Sequence, residues 1–118
     1  ENEFIEQEEE DDSDEIFMVV EQMPVFPGGD LGLMKFIQKT TKYPPIAKEN
    51  DITGKVFVSY VVNKKGKVTN VKVVRSVDKY LDAEAVRVVK LLPYSSAGKQ
   101  RGKPVNVQYT IPINFTLN

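Results

Sequence analysis

The sequence predicts an α+β fold: a three-stranded antiparallel sheet in the order second, first, third, with helices packed on one face and the last strand at the edge. Three observations carry this. Residues 54–77 read as a β-hairpin, residues 105–117 alternate apolar and polar side chains without a break, and an amphipathic helical stretch lies between them. The hairpin strands run up and down, and a crossover helix then returns the chain, so the last strand points the same way as the second. It pairs antiparallel only by lying beside the first strand, which puts it at an edge.

The elements follow in chain order. Residues 1–15 hold ten acids and no base, whereas the other 103 residues carry seven acids against all 16 bases, a net of +9 behind an overall charge of -1. A like-charged run repels itself and has little apolar surface to bury, so residues 1–15 are expected to be a disordered acidic linker. Residues 16–41 form a lead-in with room for one short strand: an apolar run over 16–20, then Met23-Pro24-Val25-Phe26-Pro27-Gly28-Gly29, whose prolines and glycines enforce turn or extended backbone. Asp30 is a candidate N-cap for a helix over 31–39, weakened by Gly32. Tyr43-Pro44-Pro45 forces an extended turn, from which residues 46–49 can make a helical turn.

The hairpin is the firmest local element. Residues 55–62 are rich in Val, Phe and Tyr, Asn63-Lys64-Lys65-Gly66 supplies the turn, and 67–77 return. Asp78 and Asp82 then open a helix ending near Leu92, with Leu81, Ala85, Val88, Val89 and Leu92 on one face and Arg87 and Lys90 late, as the helix dipole favours. Pro93 ends it, and residues 95–103 read as a polar loop. In the final strand Val105, Val107, Tyr109, Ile111, Ile113, Phe115 and Leu117 alternate with polar residues or proline. At about 3.3 Å per residue it is roughly twice as long as a usual strand.

Pro112 supports the edge placement independently, because an inner strand would need the donor that proline lacks. Proteins blunt exposed edges with charge, yet residues 104–118 carry none. Such an edge is either covered, by the lead-in or by a second copy, or it accepts an extended peptide as an added strand.

Other chemistries find little footing. Cysteine and histidine are both absent, which removes thiolate nucleophiles, Cys/His zinc sites and His-based triads. The body acids Glu21, Asp30, Glu49, Asp51, Asp78, Asp82 and Glu84 read mostly as caps, turn residues and helix-start charges. The stretch from Gly98 to Lys103 has the wrong spacing for a phosphate loop, and proline follows where Ser or Thr would hold magnesium. No enzyme activity, cofactor or metal is expected. The bases are spread along the body without a reading helix or ribonucleoprotein motif, so no nucleic-acid partner is expected either. The apolar run over 16–20 is far shorter than the ~20 residues that span a bilayer. The chain begins at Glu1 rather than Met and is expected to be a fragment of a longer protein.

A family resemblance rests on particular residues. Tyr43-Pro44-Pro45-Ile46-Ala47, Gly54-Lys55-Val56-Phe57-Val58, Asn63-Lys64-Lys65-Gly66-Lys67-Val68, Leu81-Asp82-Ala83-Glu84-Ala85-Val86 and the strand from Val105 to Phe115, in this order and spacing, resemble the TonB C-terminal domain. The similarity covers about residues 42–117, so 42–118 is expected to be the domain proper. The lead-in over 20–29 resembles an extension found in a subset of the family. After the crossover helix, Leu92-Pro93-Tyr94-Ser95-Ser96 is more polar than the family's pattern and lacks its tryptophan.

The resemblance implies a periplasmic domain of a protein anchored in the inner membrane by an upstream helix and driven by a proton-motive ExbB-ExbD complex. It would bind the TonB box of outer-membrane transporters as an added strand and pull on their plug for nutrient uptake, such as that of siderophores. Carried onto this chain, the binding surface would be Val107, Gln108, Tyr109, Thr110, Ile111, Pro112, Ile113 and Asn114, with Thr40, Thr41, Lys42, Tyr43 and Pro44 alongside. The rival expectations are a TolA-like scaffold or the periplasmic domain of a membrane sensor, and a homodimer paired through the last strands.

Overall fold

The computed structural model describes residues 14–118, so the expected acidic linker falls almost wholly outside the described residues. The elements are β1 (Ile16–Phe17), α1 (Gly29–Thr40), α2 (Pro45–Glu49), β2 (Gly54–Val62), β3 (Val68–Arg75), α3 (Lys79–Lys90), β4 (Gly98–Gln100) and β5 (Lys103–Phe115). The sheet runs β1-β5-β2-β3, with β4 also paired to β5. Its centre is the expected order of second, first and third strands, and the fold is α+β.

Two additions correct the expected three-stranded, wholly antiparallel sheet. The apolar lead-in forms β1, which pairs parallel to β5, Ile16 opposite Asn106 and Phe17 opposite Val107. The polar loop contains β4, a short antiparallel partner of β5 from Gly98 opposite Val105 to Gln100 opposite Lys103. The β4–β5 turn places both Arg101 and Gly102 at positive φ, 55° and 76°, the combination that suits tight hairpin turns. Arginine at such a position is an uncommon choice, which is why the sequence reads as loop there.

Pairing of β2 with β5 organises the core. It is continuous from Gly54 opposite Phe115 to Val62 opposite Val107. Because side chains alternate, this register sets Val56, Val58, Tyr60 and Val62 beside Val107, Tyr109, Ile111 and Ile113 on one face. Against that face α3 lays Leu81, Ala85, Val88 and Val89, all fully buried. Asp78 caps α3 as its side chain accepts from the backbone N–H groups of Tyr80 and Leu81. The hairpin turn is closed by the Asn63 side chain, which accepts from the N–H groups of Lys65 and Lys67.

The lead-in is stitched down rather than loose. Gln22 and Lys99 exchange two backbone hydrogen bonds, and Val25 is bonded likewise to Ser95 and Ser96. Val20 packs with Val105 and Val107 in a small satellite core, and Phe26 enters the main one. Helix α1 starts two residues earlier than the sequence suggests, and Asp30 is not its cap. Gly28 holds that position in the left-handed region, φ 81°, and Asp30 lies in the first turn. Gly32 allows this start: a β-carbon there would lie 2.0 Å from the Pro27 carbonyl oxygen, so only glycine lets the helix fold back over the proline turn. None of α1's residues is fully buried.

Two stability predictions follow from this packing. Leu81→Ala should cost about 2–5 kcal/mol in urea-induced unfolding, the usual range for a fully buried leucine. Gly32→Ala should dislodge the start of α1, read as lost exchange protection over 29–36, with the β2–β5 amides still protected.

Candidate functional site

The two sides of β5 are covered unequally. On one side β2 covers residues 107–115. On the other, β1 covers 106–107, while β4 pairs with 103–105, ahead of where β2 begins. Among the described residues no strand pairs with the far side of 108–115. Edge placement therefore holds for that stretch, and the sequence expectation needs one correction: Val107 is fully buried and sits opposite Phe17, so the open edge begins at Gln108.

The other edge of the sheet is built differently. β3 carries exposed Lys72 and Arg75, and Asn70 at φ 52° accompanies a register shift between Ser59 and Val61. Charge and an irregular backbone are the usual protections against strand addition. β5 has neither over 108–115; Thr110, Pro112 and Asn114 are exposed and uncharged.

A groove of about 630 Å³ runs between α1 and this open edge. Leu33, Met34, Ile37, Gln38 and Thr41 form the helix wall, and Ile111, Pro112, Asn114, Phe115 and Thr116 the strand wall, with Tyr43 at the end. Its lining is mostly apolar, and Met34 is 57% exposed, unusual for a side chain so close to the core. A second hollow, about 570 Å³, continues past Leu33 and Ile111 to Phe26, Tyr60, Tyr94 and Tyr109. The alternation along β5 records both: Val105, Val107, Ile113 and Phe115 are buried, whereas Tyr109 and Ile111 are only half-buried because they face the open space.

The tyrosines form a rigid wall. Tyr109 stacks on Tyr60 and Tyr94 at 5.6 and 5.9 Å between ring centroids, and Phe26 meets Tyr94 edge-on at 5.2 Å. Tyr60 and Tyr94 share a hydrogen bond of 2.7 Å between their hydroxyls. Burial, then the neighbouring Tyr94 and Asp30, push the Tyr109 phenol up to about 12. The wall stays neutral, and its hydroxyls offer hydrogen bonds without charge.

The residues expected alongside the strand fall into two groups. Thr41 and Tyr43 reach the groove; the Tyr43 ring packs edge-on against Phe115 at 5.6 Å and its hydroxyl donates to the Ile52 carbonyl. Thr40, Lys42 and Pro44 instead fix the segment to its surroundings. The Thr40 carbonyl accepts from the Arg87 guanidinium, the Lys42 N–H donates to the Glu84 carboxylate at 2.7 Å, and Pro44 precedes α2 as its N-cap. Sequence reasoning missed α1 as a wall of the site; the apolar set Leu33, Met34, Phe36 and Ile37 was the available signal.

Glu84 and Arg87 thus clamp the α1–α2 link onto α3. Burial pushes the Glu84 carboxyl up, but the Arg87 hydrogen bonds, the Lys42 N–H and their charges outweigh this and hold it below the ordinary glutamate range. The clamp is complete above the unfolded-state pKa of about 4.3 and is lost as pH falls through the lower folded value. In an acid titration the Lys42 amide should shift with a midpoint below that of a free glutamate. Glu84→Gln should abolish that titration and speed exchange at Lys42.

Comparisons with known proteins agree with this architecture. The family described as "Gram-negative bacterial TonB protein C-terminal" matches residues 39–117. Two NMR solution structures of the Helicobacter pylori TonB C-terminal domain are similar in fold. One has 27% identity, a TM-score of 0.60, and coverage of 75% of this chain and 79% of that one. The other, a shorter piece of the same domain, has 26% identity, a TM-score of 0.55, and coverage of 73% and 90%. No curated protein sequence matches. The family is a non-enzymatic transducer and interaction domain of the periplasm whose members engage outer-membrane transporters. With a match over more than half its length, the chain belongs to the TonB C-terminal family.

Proposed function

We propose that this chain captures the TonB box of an outer-membrane transporter by β-strand addition to the open edge of β5, over residues 108–114, and transmits pull to the transporter's plug for nutrient uptake. The single observation that carries the reading is the uncharged stretch of β5 that has no strand partner on its outer side among the described residues and lies beside an apolar groove. Main-chain hydrogen bonds to the edge would supply affinity, and alternate side chains of the added strand would enter the groove beside α1. Under this reading the work originates in an ExbB-ExbD complex, reached through an upstream inner-membrane anchor.

Pro112 sets the phase of the edge. A proline nitrogen facing β2 would leave a carbonyl there without a donor, so the phase that avoids this loss turns the backbone of Gln108, Thr110, Pro112 and Asn114 outward. An incoming strand then finds N–H donors at 108, 110 and 114 and carbonyl acceptors at all four. Each such bond is worth about 0.5–1.5 kcal/mol net, so the attachment depends on several bonds sharing the load.

The test is an NMR titration of the labelled chain with a TonB-box peptide. Amides of 108–116 and 41–43 should shift together. Thr110→Pro should weaken binding about tenfold, which corresponds to one hydrogen bond of about 1.4 kcal/mol, while Lys72→Ala on the opposite edge should leave it unchanged. Absence of shifts at about 1 mM peptide, with the chain folded and monomeric, would remove the strand-addition reading. A chain that is already dimeric through β5 would favour self-pairing of the last strands.

A further inference from the structure

We propose that the acidic segment 1–15 docks on a basic surface at one end of its own sheet, formed by the β2–β3 turn and the β4–β5 hairpin. The surface comprises Lys64, Lys65 and Lys67 in the first turn and Lys99, Arg101 and Lys103 around the second. The fold sets the first turn against the hairpin that ends in the second, one β4 length away from it. The Lys64 N–H donates to the Asn106 side chain at 3.1 Å, and a β-carbon on Gly66 would lie 3.5 Å from the Ala97 nitrogen. Six positive residues thus lie in and beside two turns that join four strand ends, one short strand apart.

The direction of the chain points the acidic segment at this surface. β1 runs parallel to β5 with Ile16 opposite Asn106, so Asp14 and Glu15 run back along β5 toward its start and the β4–β5 turn. Contacts follow that path. The Asn106 amide donates to the Glu15 carbonyl, and Glu15 lines a hollow with Phe17, Gln100, Arg101 and Lys103. An acid already serves this turn from the lead-in, since the Glu21 carboxylate accepts from the Arg101 N–H at 2.8 Å. Upstream of Asp14, residues 1–13 carry eight further acids and no base.

Charge complementarity and tethering select this occupant over a free anion. Individual surface ion pairs are weak and screened by salt, but a tethered segment is present at high effective concentration and needs no single strong contact. The docked segment covers the most basic end of a body of net charge +9, and so keeps that end off other polyanions, such as anionic lipid headgroups.

The chain contains no cysteine, so Gln7→Cys gives a single site for a nitroxide label in residues 1–118. Line broadening is expected at the amides of 64–67 and 99–103 in about 0.01 M salt, where the Debye length is about 30 Å, and its loss at 64–67 in about 1 M salt, where it is about 3 Å. A second labelled chain, with Glu8→Gln, Glu9→Gln, Glu10→Gln, Asp11→Asn and Asp12→Asn, should keep the broadening due to the tether itself, at 14–17, 100–103 and 105–107, and lose that at 64–67. Equal broadening of 64–67 in both chains, or broadening centred on Lys72 and Arg75 of β3, would overturn the proposal. Vesicles of anionic phosphatidylglycerol provide the second readout. The neutralised chain should bind them more tightly than the native chain, and equal binding would mean that the acidic segment does not occupy the surface.

Discussion

The length of β5 is the constraint on which the rest of the structure depends. The strand has 13 residues, more than any neighbour can cover, so its two sides are used in different places. β2 takes the end part on one side, β1 takes 106–107 on the other, β4 pairs with the first three residues, and both sides are covered only at Val107. Half of the strand is thereby locked into the core by side chains, while its outer backbone groups over 108–115 remain without a strand partner among the described residues. Burial and availability coexist because they use different directions, side chains across the sheet and backbone groups within it.

The same alternation explains why the groove lies beside the edge and not elsewhere. α3 covers the centre of the sheet with small and branched side chains that pack closely, and leaves the β5 side to α1. That helix is anchored at its ends. Phe26 and the glycine turn hold the start, the Glu84–Arg87 clamp holds the finish, and Leu33, Phe36 and Ile37 between them pack against the core while the groove opens between the helix and the β5 edge. A helix held at its ends preserves a hollow that a fully packed helix would fill. Opposite it, the β3 edge shows what this fold does where no partner is wanted: lysine, arginine and a backbone irregularity.

The hairpin, the crossover helix and the last strand are all legible in the sequence because each rests on a local signal: period-two alternation, an aspartate cap, or a turn spelled by Asn and Gly. Edge placement is legible as well, from direction counting and Pro112. What escapes is everything set by contacts distant in sequence. β1 and β4 are short, and their pairing is fixed by where β5 runs rather than by their own residues. Gly28 as cap, and Gly32 as the residue that admits Pro27, depend on a close approach that composition alone does not encode. Of the candidate site, the strand residues follow from their pattern, with Val107 lost to β1. The helix wall emerges only once α1 is seen against Ile111.

Under the proposed function, the position of β1 determines how force travels. A pull on the segment before Ile16 acts along β1 toward the start of β5, while a peptide held on 108–114 pulls toward its end. The two loads meet in one strand, placed under tension along its axis, and the helical layer is bypassed. Hydrogen bonds loaded along the strands share the force in shear, but β1 has only two paired residues and is the weaker attachment. Its release would leave the backbone pairings of the lead-in, Gln22 with Lys99 and Val25 with Ser95 and Ser96, as the next restraint. Those bonds hold β4, which is itself paired to β5, so even after β1 yields the load returns to the same strand. The fold therefore gives way in stages at its periphery while the β2–β5 register that builds both the core and the edge is the last to feel the pull.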